Sequence, residues 1–337
     1  MGKRVIDISN YRYKKVLVTG SGGFIGSHLA EACVSLGAKV TALVHYNSAG
    51  SWGMLDSLPA ALRDNLNVIA GDIQDAEFVR TIVADQEVVF HLAALIAIPY
   101  SYIAPRSYVR TNIEGTLNVL EAARAAETPR IVHTSTSEVY GTALERPIRE
   151  THPLQGQSPY SATKIAADKL VESYNRSFEL PVITVRPFNT FGPRQSARAF
   201  IPTVISQALA DDTIKLGSLD PLRDMTFVTD TVNGFLRAGL VEGNDGHVLN
   251  LGTGTTQSVG AIAKTILRLM GGGKTIVADA SRVRPGASEV LELVSDNSKA
   301  ADVLGWTPQV SLEDGLLQTI EYVRAHVGSY RTDRYNV

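Results

Sequence analysis

At 337 residues, 44% hydrophobic and 20% charged, the chain has ordinary globular composition, long enough for one large α/β domain or two smaller ones. Its 32 basic and 34 acidic side chains leave a formal charge of −2, a balance that calls for neither nucleic acid nor an anionic membrane as partner. The single cysteine, Cys33, excludes an intramolecular disulfide and argues against a cysteine-based metal site, no apolar run approaches a bilayer span, and the N-terminal "MGKRVIDISNYRYKK" lacks a secretory signal, so a cytoplasmic protein is expected.

Short β-branched runs then alternate with helical patterns. "KVLVTG" (15–20) reads as a strand ending in glycine, and "FIGSHLAEACVSLG" as a helix stopped at Gly37. Strands follow at "KVTALV" (39–44), "LNVIAGDI" (66–73), "EVVFHLAA" (87–94), "RIVHTST" (130–136) and "PVITVRP" (181–187). Helices are expected at 112–126 and 160–178. Several strands are apolar on both faces, which predicts a doubly wound parallel sheet covered on both sides. From about residue 190 Gly and Pro punctuate more often and helices shorten. The expected division is a first domain over 1–188 and a smaller lobe over 189–337, with some elements returning to the sheet.

"VTGSGGFIGSHL" places Gly20, Gly23 and Gly26, with Phe24 and Ile25 between them, after a strand and at a helix start. Glycine permits positive φ and close backbone approach, so such a turn presents N–H groups to a pyrophosphate. NAD sites usually carry an acid at the end of the second strand. Here that strand runs into His45, Tyr46, Asn47 and Ser48. These donors favour a 2′-phosphate, hence NADP mildly over NAD, although a neutral loop accepting either is the plainer alternative. Asp72, followed by Ile73, is placed to meet the adenine amino group or simply to close a turn.

Tyr160 and Lys164, four apart, share one helix face. A nearby ammonium and a cationic nicotinamide would both favour the phenolate, making Tyr160 a base for an alcohol under oxidation.

Together "TGSGGFIG", "HLAA" (with Leu92, Ala93 and Ala94), "YSATK", "RPFNTFGPRQ" and "RDMTFVTD" resemble the extended short-chain dehydrogenase/reductases that act on nucleotide sugars. The resemblance implies a Rossmann-like domain for NAD(P)+, a C-terminal lobe for the nucleotide sugar, and a homodimer through the helices at 112–126 and 160–178. It implies that Thr136 orients the sugar hydroxyl. In 4,6-dehydratases of this family a glutamate follows that Thr by two positions, as Glu138 does here, and removes the proton from C5. Dehydratases of glucose nucleotides carry an aspartate where this chain has Ser137, so the group that protonates the leaving C6 hydroxyl stays open between Ser137 as a relay and Glu138 in both roles. Ile98, Tyr100 and Tyr102 are candidates to shape the sugar pocket, or else a loop packing its own aromatics. By resemblance Asn112, counted among the substrate-binding residues, supports the active-site lysine, Asn189 meets the diphosphate, and Arg223 and Arg284 bring cations to it, with Arg194 and Arg198 as further candidates. The run "AALIAIPYSY … TSTSEVYGTA … QGQSPYSATK" is most similar to N-acetylhexosamine-nucleotide 4,6-dehydratases of legionaminic-acid-like pathways, with UDP-N-acetylglucosamine favoured over the GDP form. The rivals are a 4-epimerase, which would not need Glu138, and a binder that has lost its chemistry.

Overall fold

The computed structural model describes residues 6–283 and 285–330. At its centre lie seven strands: β1 (Lys15–Thr19), β2 (Lys39–His45), β3 (Leu66–Gly71), β4 (Val88–His91), β5 (Ile131–Thr134), β6 (Val182–Pro187) and β7 (Val248–Leu251). Their spatial order is β7-β6-β5-β4-β1-β2-β3, and every neighbouring pair is parallel. The chain winds outward from β1 to β3, then returns beside β1 at β4 and winds the other way. Sheets of this kind bind ligands at such a reversal, outside the carboxyl ends of the strands.

The apolar runs are explained by two cores, one on each face. Val16, Val18, Phe90, Val132 and Ile183 share a cluster with Leu29 and Cys33 of α1 (Phe24–Ser35). Their immediate neighbours Leu17, Val89, Ile131 and Val182 belong to a second cluster. That cluster includes Val119 and Leu120 of α2 (Gly115–Ala125) and Val171 of α3 (Pro159–Phe178). Alternation is therefore present, but both faces are dry and both need hydrocarbon.

Helix α3 carries its start signal in sequence. Ser158 caps it, Ser161 returns the bond to complete a capping box, Pro159 occupies the first turn, and Glu179 ends it at φ 54°. Helix α2 is preceded by a π-helical turn, Val109–Glu114, and that by a short helix, Pro105–Tyr108, so the helical segment begins seven residues before the expected 112. Such turns recur at functional sites.

Three strands stop short of their expected ends, each for a local reason. Strand β4 ends at His91 rather than 94, because the N–H groups of Leu92 and Ala93 both leave the ladder for the Thr19 hydroxyl, 3.0 Å away in each case. Strand β3 ends at Gly71, where Asp72 accepts from the N–H of Gln74 and closes a turn. Strand β5 ends at Thr134, and Thr136 then caps a single 3-10 turn, Ser137–Tyr140, accepting from the N–H of Glu138. Glu138 thus sits on a turn beyond the strand.

After β6 the chain builds helices Phe200–Ala210, Val259–Leu269 and Leu312–Ala325 with several two- and three-stranded ribbons. Two elements of this half serve the sheet. Strand β7 pairs with β6, and α4 (Val228–Leu240) buries Val232, Phe235 and Leu236 in the first core. Because Leu17 is fully buried at the centre of the sheet, Leu17→Ala is expected to destabilise the protein by about 2–5 kcal/mol in urea unfolding monitored by circular dichroism.

Candidate active site

A cleft of about 1250 Å³ opens at the carboxyl ends of β1 and β4 and continues between the sheet and the C-terminal segments. Gly20, Gly23, Phe24, Ile25 and Gly26 form one end of its wall. Gly20 has φ +73°, and a Cβ there would lie 2.9 Å from the Ala93 nitrogen. A Cβ on Gly26 would lie 2.2 Å from the Gly20 carbonyl oxygen, so the turn and the first turn of α1 touch backbone to backbone. Gly23 caps α1 without any side-chain bond, which leaves the helix N-terminal N–H groups open toward the cleft. These features fit the pyrophosphate of a dinucleotide.

His45, Asn47, Asp72, Ile73, Leu92, Ala93 and Ala94 line the same end, whereas Ser48 is exposed and lies off the wall. Asp72 does both things envisaged for it, closing its turn while facing the cleft. Trp52, which sequence reading missed, also lines this end. Its loop is tied together by Asn47, bonded to Ser51 through backbone N–H and C=O, and by Asp56, which accepts from Ser51 Oγ and the Trp52 N–H.

Further along, Thr136, Ser137, Glu138 and Tyr160 share the wall. Burial pushes the Tyr160 phenol well up, a hydrogen bond with Thr136 opposes this, and the nearby Glu138 charge adds to it. The protein's own groups therefore favour the protonated phenol, and the expected shift toward neutrality rests on a nicotinamide charge as well as on Lys164. Lys164 lies behind the wall and donates to the Thr134 carbonyl at 2.6 Å. Burial brings its ammonium down to about 8, with Asp168 acting in the opposite direction.

Asp168, one turn beyond Lys164, anchors a buried cluster. Its carboxylate accepts from Ser135 Oγ (2.7 Å), Arg186 Nη2 (2.8 Å) and Nε (3.2 Å), and His133 Nε2 (3.2 Å). Burial alone would raise this carboxyl, but His133 and Arg186 outweigh it and hold it at about 2. Sequence reading missed the cluster; its only signal was an acid four residues past Lys164.

A second buried chain fixes the floor. Thr19 Oγ1 accepts from the Leu92 and Ala93 N–H groups and sits 3.0 Å from His91 Nδ1. Across the ring, His91 Nε2 lies 3.0 Å from Thr116 Oγ1, whose proton goes to the Asn112 carbonyl. Nε2 must therefore donate and Nδ1 accept, so His91 is neutral, in agreement with burial holding it far below the usual imidazole value. Asn112 pins both the N–H and C=O of Leu95 and donates to Thr163, whose hydroxyl bonds the Tyr160 carbonyl. Asn112, expected among the substrate ligands, is 1% exposed and braces the wall from behind, its side chain occupied by these protein groups.

On the substrate side, Ile98 and Tyr100 line the cleft, and Ile98 packs with Tyr108 and Tyr160. Tyr102 lies off the wall, bonded to Ser288. Asn189 and Gln195 line the cleft, each with a buried side-chain oxygen lacking a partner among the described residues. Arg198 is exposed on the rim, and Arg223 is buried against Glu289 at 3.0 Å. Arg194 turns away to His28 and Glu31 of α1. Arg284 lies outside the described residues, while Arg282, not singled out from sequence, is on the wall.

Residues 17–319 match the family model described as GDP-mannose 4,6 dehydratase. A UDP-glucose 4-epimerase of Mycolicibacterium smegmatis is 34% identical, over 92% of this chain and 98% of its own. A dTDP-glucose 4,6-dehydratase of the same organism is 33% identical, over 94% and 95%. Among solved structures, DesIV of Streptomyces venezuelae, a dTDP-glucose 4,6-dehydratase with NAD and TYD bound, superimposes with a TM-score of 0.81 at 28% identity, covering 93% of this chain and 98% of that one.

Because a methyl group at residue 26 has no room above the Gly20 carbonyl, Gly26→Ala is expected to weaken dinucleotide binding by about tenfold or more, read by titration calorimetry.

Proposed function

The chain belongs to the GDP-mannose 4,6-dehydratase family of extended short-chain dehydrogenase/reductases, and on that premise we propose that it removes water across C4 to C6 of a nucleoside-diphosphate N-acetylhexosamine. UDP-N-acetylglucosamine is the favoured substrate and the GDP form the next. The product is the 4-keto-6-deoxy sugar nucleotide. A bound nicotinamide dinucleotide supplies the hydride acceptor and donor that makes this loss of water redox-neutral overall.

Within that scheme, Thr136 orients the C4 hydroxyl and Tyr160 takes its proton, the neighbouring positive charge of Lys164 supporting the phenolate. Oxidation at C4 acidifies the C5 proton, and Glu138 removes it. The C6 hydroxyl then departs as water, held by Ser137 and protonated by Glu138 as that carboxyl returns its proton. The 4-keto-5,6-ene left behind would take at C6 the hydride removed from C4, and at C5 a proton, in balance with the one Tyr160 took from the C4 hydroxyl. The observation that carries the reading is Glu138 itself: half-buried, on the cleft wall, and close enough to Tyr160 for its charge to act on the phenol. Hydride transfer at C4 alone has no use for an acid there.

The N-acetylhexosamine assignment is supported by the segment "AALIAIPYSY", whose Ile98 and Tyr100 line the cleft on the Tyr160 side. A preference for NADP over NAD is supported by the end of β2. His45 and Asn47 are present there, and Asp56 is occupied by Ser51 and Trp52. A homodimer through α2 and α3 completes the proposal, with Phe178, 48% exposed and lying under the Arg124 guanidinium, at the end of α3. A 4-epimerase is the second reading, favoured by the 34% identical relative, and would use Thr136, Tyr160 and Lys164 only.

Incubation of the purified protein with UDP- and GDP-N-acetylglucosamine, followed by mass spectrometry, separates these readings. Loss of one water from either is the expected result and names the nucleotide. Unchanged mass with an inverted C4 would establish the epimerase instead, and no change in either would end the hexosamine assignment.

A further inference from the structure

Three consecutive residues leave β5, and three residues spaced one helical turn apart on α3 meet them. Thr136 lies beside Tyr160 and acts to lower its phenol, the Thr134 carbonyl accepts from Lys164 Nζ at 2.6 Å, and Ser135 Oγ donates to Asp168 at 2.7 Å. The first two contacts belong to groups whose protons move in the proposed reaction. The third does not, since Asp168 lies off the cleft wall and is 6% exposed. Its carboxylate is saturated by Ser135, Arg186 and His133, and Arg186 continues to the Tyr140 hydroxyl at 2.9 Å.

A buried ion pair is no cheaper than a well-packed apolar contact, so stability alone gives weak reason for it here. Hydrogen bonds with fixed directions do something hydrocarbon cannot, which is to forbid sliding of the helix along the strand exit. We propose that Asp168 is a positioning residue that, through Ser135 and Arg186, locks α3 against the exit of β5 and so holds Tyr160 and Lys164 in register with Thr136. The proposal rests on the reading of Tyr160 and Lys164 as the proton-transfer pair, which the dehydratase and the epimerase share.

The cluster also sets the local charge. His133 donates through Nε2 and its buried Nδ1 has no partner among the described residues; burial lowers its imidazole, and His91 is neutral by its bonding. Lys164 and Arg186 bring cations and Asp168 an anion, and the Asp168 charge raises the Tyr160 phenol. Further ionisable neighbours are Glu138 and Tyr140 from the turn after β5, Tyr108 from the helix beside α3, Glu150 acting on Tyr140, and Glu172 of α3, on which the Arg186 charge acts.

Two variants test this, Asp168→Asn and Ser135→Ala, each in the dinucleotide-loaded protein. The Tyr160 titration is read from near-ultraviolet phenolate absorbance after subtracting the matching Tyr160→Phe protein, and kcat is read against pH. Removing the Asp168 charge is expected to lower the Tyr160 midpoint and the acid limb of kcat by roughly half a unit or more, with KM held within about threefold. Ser135→Ala keeps the charge, so the midpoint should stay while kcat falls by roughly tenfold from lost alignment. A folded Asp168→Asn protein with an unmoved midpoint overturns the proposal, as does Ser135→Ala with wild-type kcat. Should Asp168→Asn fail to fold, Ser135→Ala decides alone on the same criterion. If the unmodified protein turns over no nucleotide sugar, the functional reading fails, and the absorbance titration still rules on Asp168.

Discussion

The site depends on one hydroxyl at the point where two strands part. Thr19 and His91 are opposite residues at the last rung between β1 and β4. Beyond them the chain on one side must turn sharply through Gly20, and on the other must leave the sheet altogether. Thr19 Oγ1 makes both possible by taking the two N–H groups that β4 gives up and sitting within hydrogen-bond distance of His91. Unpaired, those N–H groups would each cost on the order of 1–3 kcal/mol. The opening that results is the dinucleotide end of the cleft. The same His91 ring carries the constraint onward through Thr116 and Asn112 to the backbone of Tyr160. The floor of the cleft and the helix bearing the reactive phenol are thereby one hydrogen-bonded body.

Electrostatics then divide the work. Burial keeps Tyr160 protonated and brings Lys164 down to about 8, so the protein alone does not prepare a phenolate. The cationic ring of an oxidised nicotinamide would be the missing charge, which couples proton removal from the sugar to the presence of the oxidant. Glu138 works against the phenolate, since its negative charge raises the Tyr160 phenol. A chain that only oxidised and reduced C4 would do better without it. The proposed dehydration gives it a use, since that reaction needs a second proton transfer.

Much of this was legible in the sequence, and what was missed shares a physical cause. The doubly wound sheet followed from runs such as "KVLVT", where consecutive residues are buried against different helical layers. The glycine turn, the Tyr160 face and Glu138 were visible because each is local, a pattern within a few positions. Strand ends were overrun at 94 and 136 because the bonds that terminate them come from Thr19 and from the turn capped by Thr136, which no apolar pattern reveals. Asn112 was counted among the substrate residues although its family position pointed to supporting the lysine, and only three-dimensional packing shows its amide engaged by Leu95 and Thr163. The Asp168–Arg186 pair joins residues 18 apart on a helix and a strand, and a lone buried acid in a helical run reads as solvated until its partners are seen.

The proposed role of Glu138 in elimination is tested by Glu138→Gln under single-turnover conditions, following reduced dinucleotide and dehydrated sugar together. Reduced dinucleotide should still form and accumulate, because Thr136, Tyr160 and Lys164 are intact, while water loss slows by about a hundredfold or more. Water loss at the wild-type rate would contradict it and leave Glu138 with no part in the chemistry.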